Sequence, residues 1–447
     1  MKVKINFFNM KKSILLISLI FFVSNISLSQ GLLLESDEEW SKIPKIESDF
    51  GFASTIPSKF SLEEYVPIVL QQKGGTCTGF AVNYYALSTM YNISFGVKDE
   101  IEKFMFAFDP YFSYSIIKEK NLDPDDIECK EGLWFSQVIA ELQDSGAKKL
   151  WMKPFDTSCN ETWTKERLDS IKSYTWPYSI DFPGAAAFDT ENLNLEEMKN
   201  TIFQNNPIVI GLFVKESLHG YSLGDENTPD NIYGVKDDGL WTPRDNEKII
   251  GKHAMCIVGY DDEKFGGSFQ VVNSWGRKYG DKGYVWIKYN DLKKYVFRAF
   301  TLKINKNVES DPLNKEGINL RNYVRYSYQS GNTNMLNIYE GQFIDRKLTG
   351  HAIFYHKPSE TIYAGEYLNG KRNGEFVVFE DNKIKNAYYE NDILINPDEL
   401  GFVNDNSNIQ IGSNNDIEFK LAKLGLPYDG IRKASSTSNN IIPPDEK

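Results

Sequence analysis

Of the four cysteines in the chain, Cys77 stands where a thiol can be made reactive. Gly74 and Gly75 precede it, and a glycine pair lets the backbone turn tightly before a helix begins. Phe80, Tyr84, Leu87 and Tyr91 follow at i, i+4, i+7 and i+11, the pattern of a helix with one face directed at a core. A thiol at the start of such a helix feels the positive end of the dipole and the free N–H groups, which favours the nucleophilic thiolate. An ordinary thiol, with a pKa of about 8.5, is only a few per cent ionised at neutral pH, so the placement matters. From this stretch alone, a buried and inert cysteine is an equally good reading.

Two further blocks lie far downstream. Gly251-Lys-His253-Ala-Met-Cys-Ile-Val-Gly-Tyr260 is followed by Val271-Val-Asn273-Ser-Trp275-Gly276, and then by Gly283-Tyr-Val-Trp-Ile287. With Gln71-Gln-Lys-Gly-Gly-Thr-Cys77 before them, these blocks resemble the papain-like cysteine peptidase family in order and in content. The resemblance implies that Cys77 is the nucleophile, His253 its base and Asn273 the residue that orients the imidazole. It also implies that Gln71, six positions before the cysteine, donates to the oxyanion; Gln72, at five, fits the pattern less well. Gly75 supports the turn into the thiol, and Trp275 is expected to shield the His–Asn bond from water. The implied reaction is peptide-bond hydrolysis through a thiolate–imidazolium pair and an acyl-enzyme. Thr78 replaces the tryptophan of papain and Gly74 its upstream cysteine, changes that alter the cleft and remove no catalytic group. The step from Cys77 to His253 is 253 − 77 = 176 residues, against roughly 130–150 in the family. Insertions near 160–190 and 219–250 account for the excess and are expected to border the cleft.

The elements that must position these residues follow the same resemblance: an α+β, papain-like two-lobe fold, a helical lobe against an antiparallel β-barrel-like lobe, over 49–305. Residues 50–69 read as an extended entry strand, and 99–108 as a short helix ended by Pro110. Gly132 to Leu142 reads as a helix stopped at Gly146. Asn194 opens another, with Glu197 placed for a capping box. Residues 207–214 form an apolar run typical of a buried strand, and further strands are expected at 254–260, 269–273, 283–288 and 299–304. Residues 30–48 read as a short irregular lead-in, with no room for the long inhibitory propeptide usual in the family. Beyond 305 the composition changes. Tyr339-Glu-Gly-Gln-Phe-Ile recurs as Tyr363-Ala-Gly-Glu-Tyr-Leu at an offset of 363 − 339 = 24, each unit reading as a hairpin. This is similar to MORN repeats and defines a β-hairpin repeat module over 306–395, with Tyr323–Tyr328 and Ala387–Leu394 as flanking units. Residues 396–447 read as a polar, largely disordered tail.

With 50 basic and 62 acidic residues the net charge is −12, which argues against nucleic acid and anionic membrane as partners. Lys2, Lys4, Lys11 and Lys12 precede an apolar run from Ile14 to Ile26, the form of a secretory signal peptide over 1–29, cleaved near Ser29 or Gln30. The product is expected to be secreted or periplasmic, with no transmembrane segment after signal removal. In that oxidising setting Cys129 and Cys159 are candidates for a disulfide, and Cys256, in an apolar strand, for a core thiol. No CxxC pair occurs and the four histidines are scattered, so neither metal nor cofactor is expected. His351 and His356 read as sheet residues, and His219 lacks any motif context. Partners are protein or peptide substrates, and a protein or envelope partner for the repeats. Two other functions fit the scaffold: a catalytically silent binding protein whose repeats hold a partner, and an aminopeptidase or acyl transferase.

Overall fold

The computed structural model describes residues 31–46, 55–72, 74–121, 129, 131–150, 180–219, 234–235, 238–277, 279–306, 323–329, 336–344, 347–356, 359, 361–380 and 383–395. Residues 1–30, which hold the expected signal peptide, Cys159 and the tail from 396 lie outside them. The chain runs from helix α1 (Asp37–Trp40) to strand β1 (Lys59–Ser61), then into a long helical stretch, α2, built from Cys77–Gly79, a π-helix at Phe80–Leu87, and Ser88–Phe95. Helices α3 (Glu100–Met105), α4 (Phe112–Asn121) and α5 (Phe135–Ser145) complete the helical lobe. The β lobe comprises β2 (Ile180–Ala187), α6 (Leu195–Phe203), β3 (Ile208–Lys215), β4 (Gly234–Val235) and β5 (Trp241–Thr242). It continues with β6 (Ile249–Asp261), β7 (Ser268–Val272), β8 (Tyr284–Lys288), α7 (Tyr289–Tyr295) and β9 (Val296–Lys306). The main sheet is antiparallel in the order β2-β9-β3-β6-β7-β8, with β1 on β6. This is the α+β architecture expected, with helices packed against an antiparallel sheet.

α2 departs from the one-sided helix read in the sequence. Every residue from Cys77 to Tyr91 is buried, Thr78, Asn83, Ser88 and Thr89 included, so the helix is enclosed all round and does not lie on the surface of one lobe. The stop at Gly96 is as a left-handed cap requires, with φ of 65° and its N–H on Ile93 O at 3.2 Å. Asp99 caps α3 through Glu102 N–H (3.0 Å), and Asn194 caps α6 through the N–H groups of Glu196 and Glu197. α5 begins three residues later than read, at Phe135, where Gln137 Oε1 accepts the Trp134 N–H at 3.1 Å. Its Phe135, Val138 and Leu142 are fully buried, each contributing about 1.5–3 kcal/mol. The entry segment is mostly irregular, with a strand of only three residues at β1.

The lead-in is also more ordered than read. Leu32 and Ile43 belong to the main core, Trp40 packs on Phe135 and Phe300, and Ile46 N–H bonds Ala187 O at 2.9 Å.

The C-terminal residues form a second antiparallel sheet in simple meander order: β10 (Tyr323–Gln329), β11 (Leu336–Ile344), β12 (Lys347–His356), β13 (Thr361–Leu368), β14 (Lys371–Glu380), β15 (Lys383–Glu390) and β16 (Ile393–Ile395). β12 and β14 have identical lengths at the sequence offset of 24 (371 − 347), so each repeat unit is a hairpin. Alternation sorts the side chains. Ile338, Ile353, Tyr355 and Ile362 join the core of the two lobes, whereas Tyr339, Phe354, Tyr367, Phe376 and Tyr389 build a separate aromatic core on the other face. Glu340, fully buried, accepts a hydrogen bond from the Tyr91 hydroxyl and lies 3.4 Å from Lys149 Nζ. The module is therefore docked on α2, not merely appended. His351 pairs with Glu366 and His356 with Ser359, as sheet residues do.

Candidate active site

His253 sits in the middle of β6, opposite Leu212 of β3, and Asn273 follows the last residue of β7, its N–H bonded to Gly283 O at 3.0 Å. The sheet register thus carries the imidazole to the amide: His253 Nε2 is 2.7 Å from Asn273 Oδ1. That oxygen also accepts the Ser274 backbone N–H at 2.7 Å, which fixes it as the amide's oxygen side. The Nε2 facing it must then carry the proton, and Nδ1 is the nitrogen left for chemistry. Nδ1 is buried and makes no hydrogen bond in this state. Cys77, first residue of α2, has its sulfur beside the backbone N–H of Ala254, the residue after His253. Tyr85 ties the two lobes here, its hydroxyl donating to Asn273 O (3.0 Å) and accepting Leu70 N–H (3.3 Å).

Neither Cys77 nor His253 is exposed at all, and the electrostatics follow from that. Burial pushes the Cys77 thiol up to about 11, only partly offset by the Ala254 N–H. Burial likewise holds His253 down to about 4, against the Asn273 hydrogen bond, with His219 lowering it further. Both shifts favour the neutral thiol and the neutral imidazole, where the resemblance implies an ion pair.

Trp275 stacks on the His253 ring at 4.6 Å between centroids and is braced edge-on by Tyr279 at 4.9 Å. Trp275 also stacks with His219, at 4.7 Å between centroids, on a short turn that Tyr279 holds through a 2.7 Å bond to Leu218 O. No motif marks His219 in the sequence; only the fold brings it to the site. Gln71 is exposed and bridges Trp275 through the backbone, its side chain beside Gly276. Gln72 is buried, its amide committed to Gly74 O (2.8 Å) and to the Ser274 hydroxyl. Gly75 donates its N–H to Cys129 O. Cys129 is disulfide-bonded, and Cys77 and Cys256 are free and buried.

The lead-in packs beside the thiol, with the Gly31 backbone next to the Cys77 sulfur. Gly31 O accepts Leu133 N–H at 3.1 Å and the Thr78 hydroxyl at 3.3 Å, and Leu33 N–H bonds Leu133 O at 3.1 Å. Leu32 enters a pocket formed by Gly211, Phe135 and Phe297. In the sequence this run, Gly31 to Leu34, follows closely on the apolar stretch Ile14 to Ile26 and has no periodicity of its own to reveal it.

A buried thiol at the start of a helix and an imidazole oriented by an amide thus lie where the helical lobe meets the antiparallel sheet. The family described as papain family cysteine protease matches residues 129–300, so that segment is a papain-family cysteine protease domain, holding His253 and Asn273. Cys77 lies before it. An uncharacterized peptidase C1-like protein of Acanthamoeba polyphaga mimivirus is 28% identical over 148 residues, covering 32% of this chain and 42% of that protein. The cathepsin B-like cysteine proteinase 3 of Caenorhabditis elegans is 24% identical over 133 residues, 30% of this chain and 29% of that protein. The chain therefore spans less than half the length of these relatives. Among solved structures, xylellain, a cysteine protease from Xylella fastidiosa, covers 62% of this chain and 96% of its own, at 18% identity and a TM-score of 0.44.

Proposed function

We propose that the chain is a secreted cysteine endopeptidase. Cys77 gives its proton to His253 Nδ1, and the thiolate attacks the scissile carbonyl. The oxyanion is met by the Gln71 amide and the Cys77 backbone N–H, the imidazolium then protonates the leaving amine, and water hydrolyses the thioester. Asn273 keeps the ring in the tautomer this needs, and Trp275 lies over it. The observation that carries the reading is the 2.7 Å contact between His253 Nε2 and Asn273 Oδ1, which reserves Nδ1 for the thiol. Secretion rests on the basic-then-apolar leader of residues 1–29, and no helix among the described residues is long and apolar enough to cross a membrane. In an oxidising compartment Cys159 is the proposed partner of Cys129. The hairpin module, similar to MORN repeats in its period of 24 (363 − 339), is proposed to hold a protein or envelope partner.

The test is hydrolysis of an unfolded protein, with covalent labelling by an epoxide thiol inhibitor. Wild type should cleave and be labelled at Cys77, and Cys77→Ala should do neither. Equal inertness of the two on a diverse peptide mixture, with the site open, refutes the assignment.

A further inference from the structure

Two consecutive tyrosines leave the helix of Cys77 toward the same neighbour. The Tyr84 hydroxyl donates to Ile68 O at 2.7 Å, and the Tyr85 hydroxyl accepts Leu70 N–H at 3.3 Å. An α-helix turns by about 100° from one residue to the next, which would fan such a pair apart. Here Phe80–Leu87 is a π-helix, whose i→i+5 turn is wider and swings less per residue. Such segments within helices are frequent at functional sites. Phe80 packs on both tyrosines, with ring centres 5.8 Å from Tyr84 and 6.4 Å from Tyr85, and the two tyrosine rings meet edge-on at 5.1 Å. Neither tyrosine is exposed.

The segment they grip leads directly to Gln71 and is laid along the chain that follows Asn273. Gly276 N–H bonds Leu70 O at 3.3 Å, Gln72 N–H bonds Ser274 O at 2.7 Å, and Gln71 faces Trp275 in an antiparallel bridge. Tyr85 makes a further bond that Tyr84 does not: its hydroxyl donates to Asn273 O at 3.0 Å while accepting from Leu70. One oxygen, 85 − 77 = 8 residues along the helix from the thiol, thus joins the segment of Gln71 to the backbone of Asn273. Asn273 N–H is taken by Gly283 O at 3.0 Å. With both backbone groups held, its side chain has a fixed origin from which to meet His253 Nε2.

We propose that Tyr85 is a positioning residue of the peptidase site, its hydroxyl setting Asn273, and through it the His253 ring, at a fixed distance from the helix of Cys77. The proposal rests on the reading of Cys77 as the nucleophile. Tyr85→Phe keeps the ring and its packing but deprives Leu70 N–H and Asn273 O of their shared partner. The imidazole then keeps its tautomer and loses its aim at the thiol; a misplacement of about 1 Å costs up to ~10²-fold in rate.

The experiment is steady-state hydrolysis of a peptide that the full chain cleaves, by wild type, Tyr85→Phe and Tyr84→Phe, each with and without Asn273→Ala. Tyr85→Phe should lower kcat by about 10- to 100-fold with KM within about twofold. In Asn273→Ala the amide that Tyr85 places is already gone, so adding Tyr85→Phe should cost no more than about threefold further. Tyr84→Phe, whose hydroxyl touches Ile68 and not Asn273, should cost the same factor in both backgrounds. An unchanged kcat in Tyr85→Phe, or an equal loss with and without the Asn273 amide, overturns the proposal. So does a Tyr85→Phe protein that fails to fold, detected by reaction of the core thiol Cys256, since the bond would then be structural only. A wild type as inert as Cys77→Ala sinks the peptidase reading and the role of Tyr85 with it, whereas an active wild type with an unaffected Tyr85→Phe sinks the tyrosine alone.

Discussion

His253 divides its two nitrogens between orientation and chemistry. Asn273 Oδ1 takes hydrogen bonds from Ser274 N–H and from the ring, both at 2.7 Å, so the tautomer is dictated by a backbone donor that cannot reverse. Asn273→Ala should therefore slow the chemical step while sparing substrate binding: kcat falls by on the order of 10², with KM little changed. Steady-state kinetics decide it, and a loss confined to KM would assign Asn273 to binding. These residues were legible in the sequence because each lies in a short block whose neighbours are fixed with it. Their charge state was not. Both shifts come first from burial, which no short block of sequence reveals.

Among the elements, β3, β7 and β8 were readable to within a residue and β6 and β9 to within about five, whereas β2, β4 and β5 lie where loop insertions were expected. α2 was readable in position and misread in environment. Aromatic residues at helical spacing mark one face, and nothing local says that the C-terminal sheet covers another. The loop between β7 and β8 shows how tightly such elements are fitted. Gly283 has φ of 95°, and a Cβ there would stand 2.4 Å from Val69 Cγ1, on the segment leading to Gln71. Gly283→Ala thus meets both a left-handed backbone and a steric conflict, and should cost about 2–4 kcal/mol. Urea denaturation of the folded variant measures it; a change under 0.5 kcal/mol, within the roughly neutral range of surface substitutions, would mean the loop yields freely.

At the scale of the molecule, the second sheet shares its interior with the lobes that carry the site. Glu340 is its polar anchor, joined to Tyr91 of α2 and to Lys149, whose ammonium also lies 3.4 Å from the Tyr91 ring centre. Breaking a buried ion pair from one side is expensive, and Glu340→Ala should lower stability by about 3–5 kcal/mol. Thermal unfolding should register this as one transition shifted downward for the whole chain. Two separate transitions, with only the later residues affected, would show that the sheet folds on its own.

The same docking bears on what a protease cut would do. A cleavage between Lys306 and Tyr323 severs the covalent path but leaves Ile338, Ile353, Tyr355 and Ile362 seated among the residues of the larger piece. The two fragments should travel together through gel filtration and come apart only in denaturant, so nicking at that junction would liberate neither a free hydrolase nor a free adaptor.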